Sequence, residues 1–232
     1  MNRRSVGWAL WALALLFGLT ALYFQIANDA THIATYVLGG LVNLSFATVG
    51  ALIASRRPEN RLGWLLLLGA AIVLLGDAAL EYGVYAVITR PGSLPAGEWM
   101  AWYGYGVRGF AFVLIATFLP LLFPNGRLPS PRWRWAAWLA LCSLLIFSVS
   151  SVFGATFEDF RLPLLHNPLG LALPPDVSDL LSALNALVLL AAAAAGGLAA
   201  VVRFRRAKGD ERQHGAQDGI DEGAPDDQVD VV

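Results

Sequence analysis

Between two apolar runs, His32 to Ala54 and Gly63 to Ile88, stands the stretch Ser55-Arg56-Arg57-Pro58-Glu59-Asn60-Arg61-Leu62-Gly63-Trp64. Each flanking run is long enough to cross the roughly 30 Å hydrocarbon core of a bilayer, and the residues between them suit neither helix nor hydrocarbon. A short basic island that turns the chain between two spans belongs on the cytoplasmic side by the positive-inside rule. That placement sets the direction in which every other run crosses. Composition agrees: of the 232 residues, 57% are hydrophobic and only 14% charged, which is more apolar than a soluble domain carries. The formal net charge of -1 is uninformative, because arginines gather in the loops of one side and acids in the C-terminal tail. The single cysteine, Cys142, excludes an intrachain disulfide framework and reads as inert packing within an apolar run.

In chain order, Arg3 and Arg4 precede the run Gly7 to Ala27, which is of full spanning length and closes on no small-x-small cleavage site. It reads as a retained first helix anchored by its two arginines. Asn28 to Thr31 is an outside turn. The second span, His32 to Ala54, offers Gly39, Gly40, Ser45 and Gly50 as a close-packing face. The Asn43-Leu44-Ser45 acceptor pattern lies within that span, where no glycosylation can reach it. The third span, Gly63 to Ile88, leads through an outside loop, Thr89 to Glu98, into a fourth, Met100 to Phe123. Pro124 to Arg134 forms a second basic loop, Trp135 to Phe153 a fifth span, and Val177 to Val202 a sixth with the small-residue stretch Ala191 to Gly197.

Of the 16 Lys and Arg residues, this arrangement leaves only Arg90 and Arg161 outside and Arg108 within the membrane. The expected fold is an all-α polytopic transmembrane bundle of six spans, with both termini cytoplasmic, in the cell membrane. Residues 1–206 form the transmembrane domain. Residues 207–232, rich in Asp, Glu, Gly and Gln, are expected to be a disordered acidic cytoplasmic tail.

Ionisable residues inside spans are costly and face a partner, the bundle interior or a watery path. Asp77 and Glu81 stand one helical turn apart in the third span, and Arg108 lies in the fourth. Counting about 1.5 Å per residue from the outer ends puts Glu81 and Arg108 roughly 10 to 12 Å deep and Asp77 roughly 16 Å. All three are thus at depths where they can meet. The favoured reading is a structural salt bridge between spans; the functional reading is a site for a polar ligand or a proton. The long outside connection, Gly154 to Asp176, carries Glu158, Asp159, Arg161 and His166 and is the candidate outside sensing surface. His32 and His166, both at the outer surface, are candidate pH-sensitive groups, though an isolated surface histidine is usually only solvated. Neither has a second ligand at metal spacing, so no metal site is expected.

Gly104-Tyr105-Gly106-Val107-Arg108-Gly109 matches the letters of a dinucleotide-binding fingerprint, but no strand precedes it and no acid follows at the ribose position. Its glycines read as admitting a neighbouring helix. Hydrolase, zinc-protease and phosphate-loop signatures are missing, so neither catalysis, a cofactor nor a nucleic-acid partner is expected.

Four ordered landmarks resemble those of one family: Gly50-Ala51-Leu52-Ile53-Ala54-Ser55-Arg56-Arg57-Pro58-Glu59-Asn60-Arg61-Leu62-Gly63-Trp64-Leu65-Leu66, Leu119 to Trp133, Asn167-Pro168-Leu169-Gly170, and Arg205 to Gln213. The family is the multi-spanning membrane sensor region of certain bacterial two-component histidine kinases. The resemblance implies a signal-input role and a cytoplasmic or membrane signalling partner beside the lipid bilayer. In that family the Gly-Asp-Glu-Arg-Gln segment leads on to further spans and a kinase core. Here His214 and an acidic tail follow, so no kinase activity is expected and a truncated or frameshifted coding region is the expectation for the tail. A homodimer stays open. The alternatives from other classes are a small solute transporter or channel using Asp77, Glu81 and Arg108, and a structural membrane subunit.

Overall fold

In hydrocarbon, backbone polar groups must be satisfied within their own segment, and apolar runs of spanning length therefore become helices. The computed structural model describes residues 3–29, 33–123, 126–153, 167–171 and 174–221. Six long helices carry the fold: α1 (Arg3–Ala27), α2 (Ile33–Arg56), α3 (Arg61–Val84), α4 (Gly97–Leu122), α5 (Arg134–Phe153) and α6 (Pro175–Asp221). All six are long and apolar enough to cross a membrane, and no strand occurs among the described residues. The chain is a multi-pass, all-helical protein of membrane type. A π-helical turn, Tyr85–Thr89, prolongs α3, and a 3-10 turn, Pro131–Trp133, leads into α5.

The first basic loop shows how local chemistry places a helix start. Asn60 caps α3 by accepting a hydrogen bond from the Leu62 N–H at 2.9 Å. Trp64 then reaches back, its Nε1 donating to the Pro58 carbonyl at 3.0 Å, and ties the first turn of α3 to the loop.

α3 is the most enclosed helix and the centre of the bundle. α1 and α2 pack on α3 and on each other, while α5 and α6 pack on α4 and on each other. The two three-helix halves are joined along the α3–α4 seam. That seam is glycine-lined: a Cβ on Gly76 would stand 2.9 Å from the Arg108 backbone nitrogen, and Gly104 lies against the Leu80 nitrogen and the Gly76 carbonyl. The fingerprint-like glycine at 104 therefore admits a helix, as its context suggests.

Other small residues divide differently from the sequence reading. In α2, Gly50 is pressed against Leu67, with Ala47, Ala51 and Ala54 buried beside it, but Gly39 and Gly40 would meet nothing within 4 Å. In α6, Gly196 packs on the Pro120 ring, whereas Gly197 faces open space. Cys142 is exposed on α5 and takes no part in the core.

The expected boundary between domain and disordered tail at residue 207 is not where the helix stops. α6 runs on to Asp221. An existing helix needs no new nucleus, and Ala207, Lys208, Glu211, Arg212 and Gln213 are good helix formers that favour propagation into a segment whose Gly209, Gly215 and Gly219 oppose it. Residues 222–232 lie outside the described residues.

Candidate functional site

The packing scheme opens a cleft. Because α2 packs on α3 and α5 on α4 while the two do not pack on each other, a space of ≈640 Å³ remains between them. Its lining includes Asn43 and Phe46 of α2, Asp77 of α3, Tyr105 and Arg108 of α4, and Phe147 of α5. The one pair of opposite charges here sits on the seam itself. Arg108 Nη1 lies 3.6 Å from Asp77 Oδ1, with the two side chains 31% and 23% exposed. Gly76 makes this approach feasible, since it seats the Arg108 backbone one residue before Asp77. Asp77 also borders a smaller cavity of ≈120 Å³ between α1 and α2.

Glu81, one turn further from the basic loop, is buried. Asn28, at the end of α1, donates from Nδ2 to the Glu81 carbonyl oxygen at 3.0 Å and to Glu81 Oε2 at 3.1 Å. Thr89 in turn donates from Oγ1 to Asn28 Oδ1 at 2.7 Å. The amide is thereby oriented from both sides, and Asn28 ties α1 to the C-terminal end of α3. Sequence reasoning placed Asn28 in a plain turn. No signal marks it, because a polar residue at the end of a span is common whatever it does.

The opposite, basic end gathers the remaining landmarks. Gly126, with a left-handed φ of 69°, brings the second loop against the first: a Cβ there would stand 3.0 Å from Asn60 Oδ1 and 3.2 Å from the Arg61 nitrogen. Arg203 of α6 donates through Nη2 to the Leu121 carbonyl at 3.0 Å and to the Arg127 carbonyl. Pro120 stands inside α4 one residue earlier, and Gly196 lies on its ring. Asn167 forms a turn of its own, its Oδ1 accepting from the Leu169 N–H at 2.9 Å.

Comparison with family models, with characterised proteins and with solved structures finds no match.

Of the sequence-derived candidates, Asp77 and Arg108 are brought together and Glu81 is engaged by Asn28. His32, Glu158, Asp159, Arg161 and His166 lie outside the described residues. Among the described residues no group of three or more His, Cys, Asp or Glu is placed to hold a metal ion. Chemically, the seam offers a partly exposed ion pair facing a cleft that also carries Asn43 and Tyr105. Ionisable residues beside a cavity between spans are where membrane proteins commonly take up ions and polar groups.

Proposed function

We propose that the chain is a signal-input domain of the cell membrane, as its resemblance to sensor regions implies. A polar ligand, an ion or a change in the surrounding lipid acts at Asp77 and Arg108, and the response is a shift between two packings of α4 against α3. The observation that carries this reading is the mechanical continuity from the ion pair to α6. Arg108 sits on α4, Pro120 and Leu121 of the same helix contact Gly196 and Arg203, and α6 then extends beyond the bundle. The arginine distribution supports placing this end, and both termini, in the cytoplasm, where α6 meets a signalling partner. The chain itself acts without catalysis.

Spin labels on Ser130→Cys and Phe204→Cys, in a Cys142→Ser background, test the coupling by electron–electron distance measurement in nanodiscs. Asp77→Asn is expected to shift the ratio of two distance populations by at least about threefold, which corresponds to about 0.6 kcal/mol or more. An unchanged distribution overturns the reading.

One observation favours a second reading, a small transporter or channel. Asp77 borders both the cavity between α1 and α2 and the cleft between α2 and α5, as a relay residue in a transport path would. Flux into proteoliposomes that disappears in Asp77→Asn and Arg108→Gln would select transport over sensing.

A further inference from the structure

A second cleft, of ≈610 Å³, lies at the basic end, away from Asp77 and Arg108. Its rim carries Arg61 from the start of α3, Arg127 from the α4–α5 loop and Arg134 from the start of α5, while Phe118, Leu122 and Ala137 form an apolar wall. The three arginines come from three separate segments, and it is the contact of Gly126 with Asn60 and Arg61 that gathers them. All three are exposed, and among the described residues none forms a salt bridge with a carboxylate. Like charges lining one cleft repel one another, and an anion set among them relieves that repulsion.

The shape of the cleft narrows the choice of anion. Trp133 and Trp135 stack at 6.0 Å beside it, and the exposed Trp135 and Trp138 continue along α5. Tryptophans of this kind mark the headgroup level of a bilayer, so the arginines stand at headgroup depth and the apolar wall runs toward the acyl chains. Guanidinium forks match phosphate oxygens, and basic pockets between spans suit anionic headgroups. A free phosphate ion would use the arginines but leave Phe118 and Leu122 without a role. We propose that this cleft binds the phosphate of an anionic phospholipid, with an acyl chain lying along Phe118 and Leu122. The lipid holds the two basic loops together. This assignment is independent of whether the chain senses or transports.

The full chain, delipidated in a neutral detergent, is titrated with phosphatidylglycerol, phosphatidylcholine or inorganic phosphate while thermal unfolding is followed. Phosphatidylglycerol is expected to stabilise saturably and phosphatidylcholine not. Arg127→Gln and Arg134→Gln are each expected to raise the half-saturating concentration by about tenfold, and Arg132→Gln, which is in the same loop but outside the cleft, to leave it unchanged. Equal effects of the two lipids, or an equal loss in Arg132→Gln, overturn the proposal. So does inorganic phosphate reproducing the full stabilisation with the same arginine dependence, which would make this a free-phosphate site. Native mass spectrometry of the unaltered chain gives a reading that needs no variant. Phosphatidylglycerol adducts should survive collision energies that strip phosphatidylcholine, and equal loss of both sinks the assignment.

Discussion

Asp77 keeps 23% of its side chain exposed, so its attraction to Arg108 is neither a fully dry ion pair nor a surface one. Polar contacts between spans contribute about 0.6 kcal/mol on average and up to about 1.7 kcal/mol, and Asp77→Asn should cost an amount in that range. In a double-mutant cycle with Arg108→Gln, most of that loss should reappear as coupling, read from unfolding in mixed detergent micelles; additive losses would mean that the two side chains do not support each other. Asn28→Ala should be more damaging than its position suggests. It strips a donor from buried Glu81, at about 1 to 3 kcal/mol, and Thr89→Val, which only loosens the orientation of Asn28, should cost less in the same assay. The difference in legibility has a physical cause. Charges at 77 and 108 stand out in apolar runs because hydrocarbon penalises them, whereas Asn28 sits at a span end where polarity is cheap.

Among the elements, the glycine seam and the α6 clasp carry the arrangement. Gly104→Ala places a methyl group against the α3 backbone and should destabilise the protein by about 1 to 3 kcal/mol. Gly40→Ala, facing open space, should change stability by less than about 0.5 kcal/mol. Equal effects at the two positions would remove the seam from the account. Both glycines look alike in the sequence, since a small residue records only that close approach is permitted and not which neighbour uses it. Arg203 belongs to the same scale. Its replacement by Gln should broaden the Ser130–Phe204 distance distribution by releasing α6 from the carbonyls of Leu121 and Arg127, and a distribution as narrow as the parent's would show the clasp to be idle.

For the whole molecule, the arrangement of charge makes a topological prediction. In a Cys142→Ser background, an impermeant maleimide added to intact cells should label Ser93→Cys and spare Glu59→Cys and Ser130→Cys until the membrane is opened. The opposite pattern would invert the orientation and place the phospholipid cleft in the other leaflet. Six helices, their approximate ends and the expected side of each loop were all available from the sequence, because helix formation in hydrocarbon is settled within each apolar run and basic loops resist translocation. The course of α6 past residue 207 was not, since composition weighed against order while the upstream helix supplied a nucleus. Nor were the meetings. That Arg108 finds Asp77, that Asn28 takes up Glu81, and that Gly126 brings the second basic loop onto the first depend on which small residues let which backbones approach. Between helices already in an apolar solvent no general hydrophobic force selects partners, so only the tertiary packing could decide them.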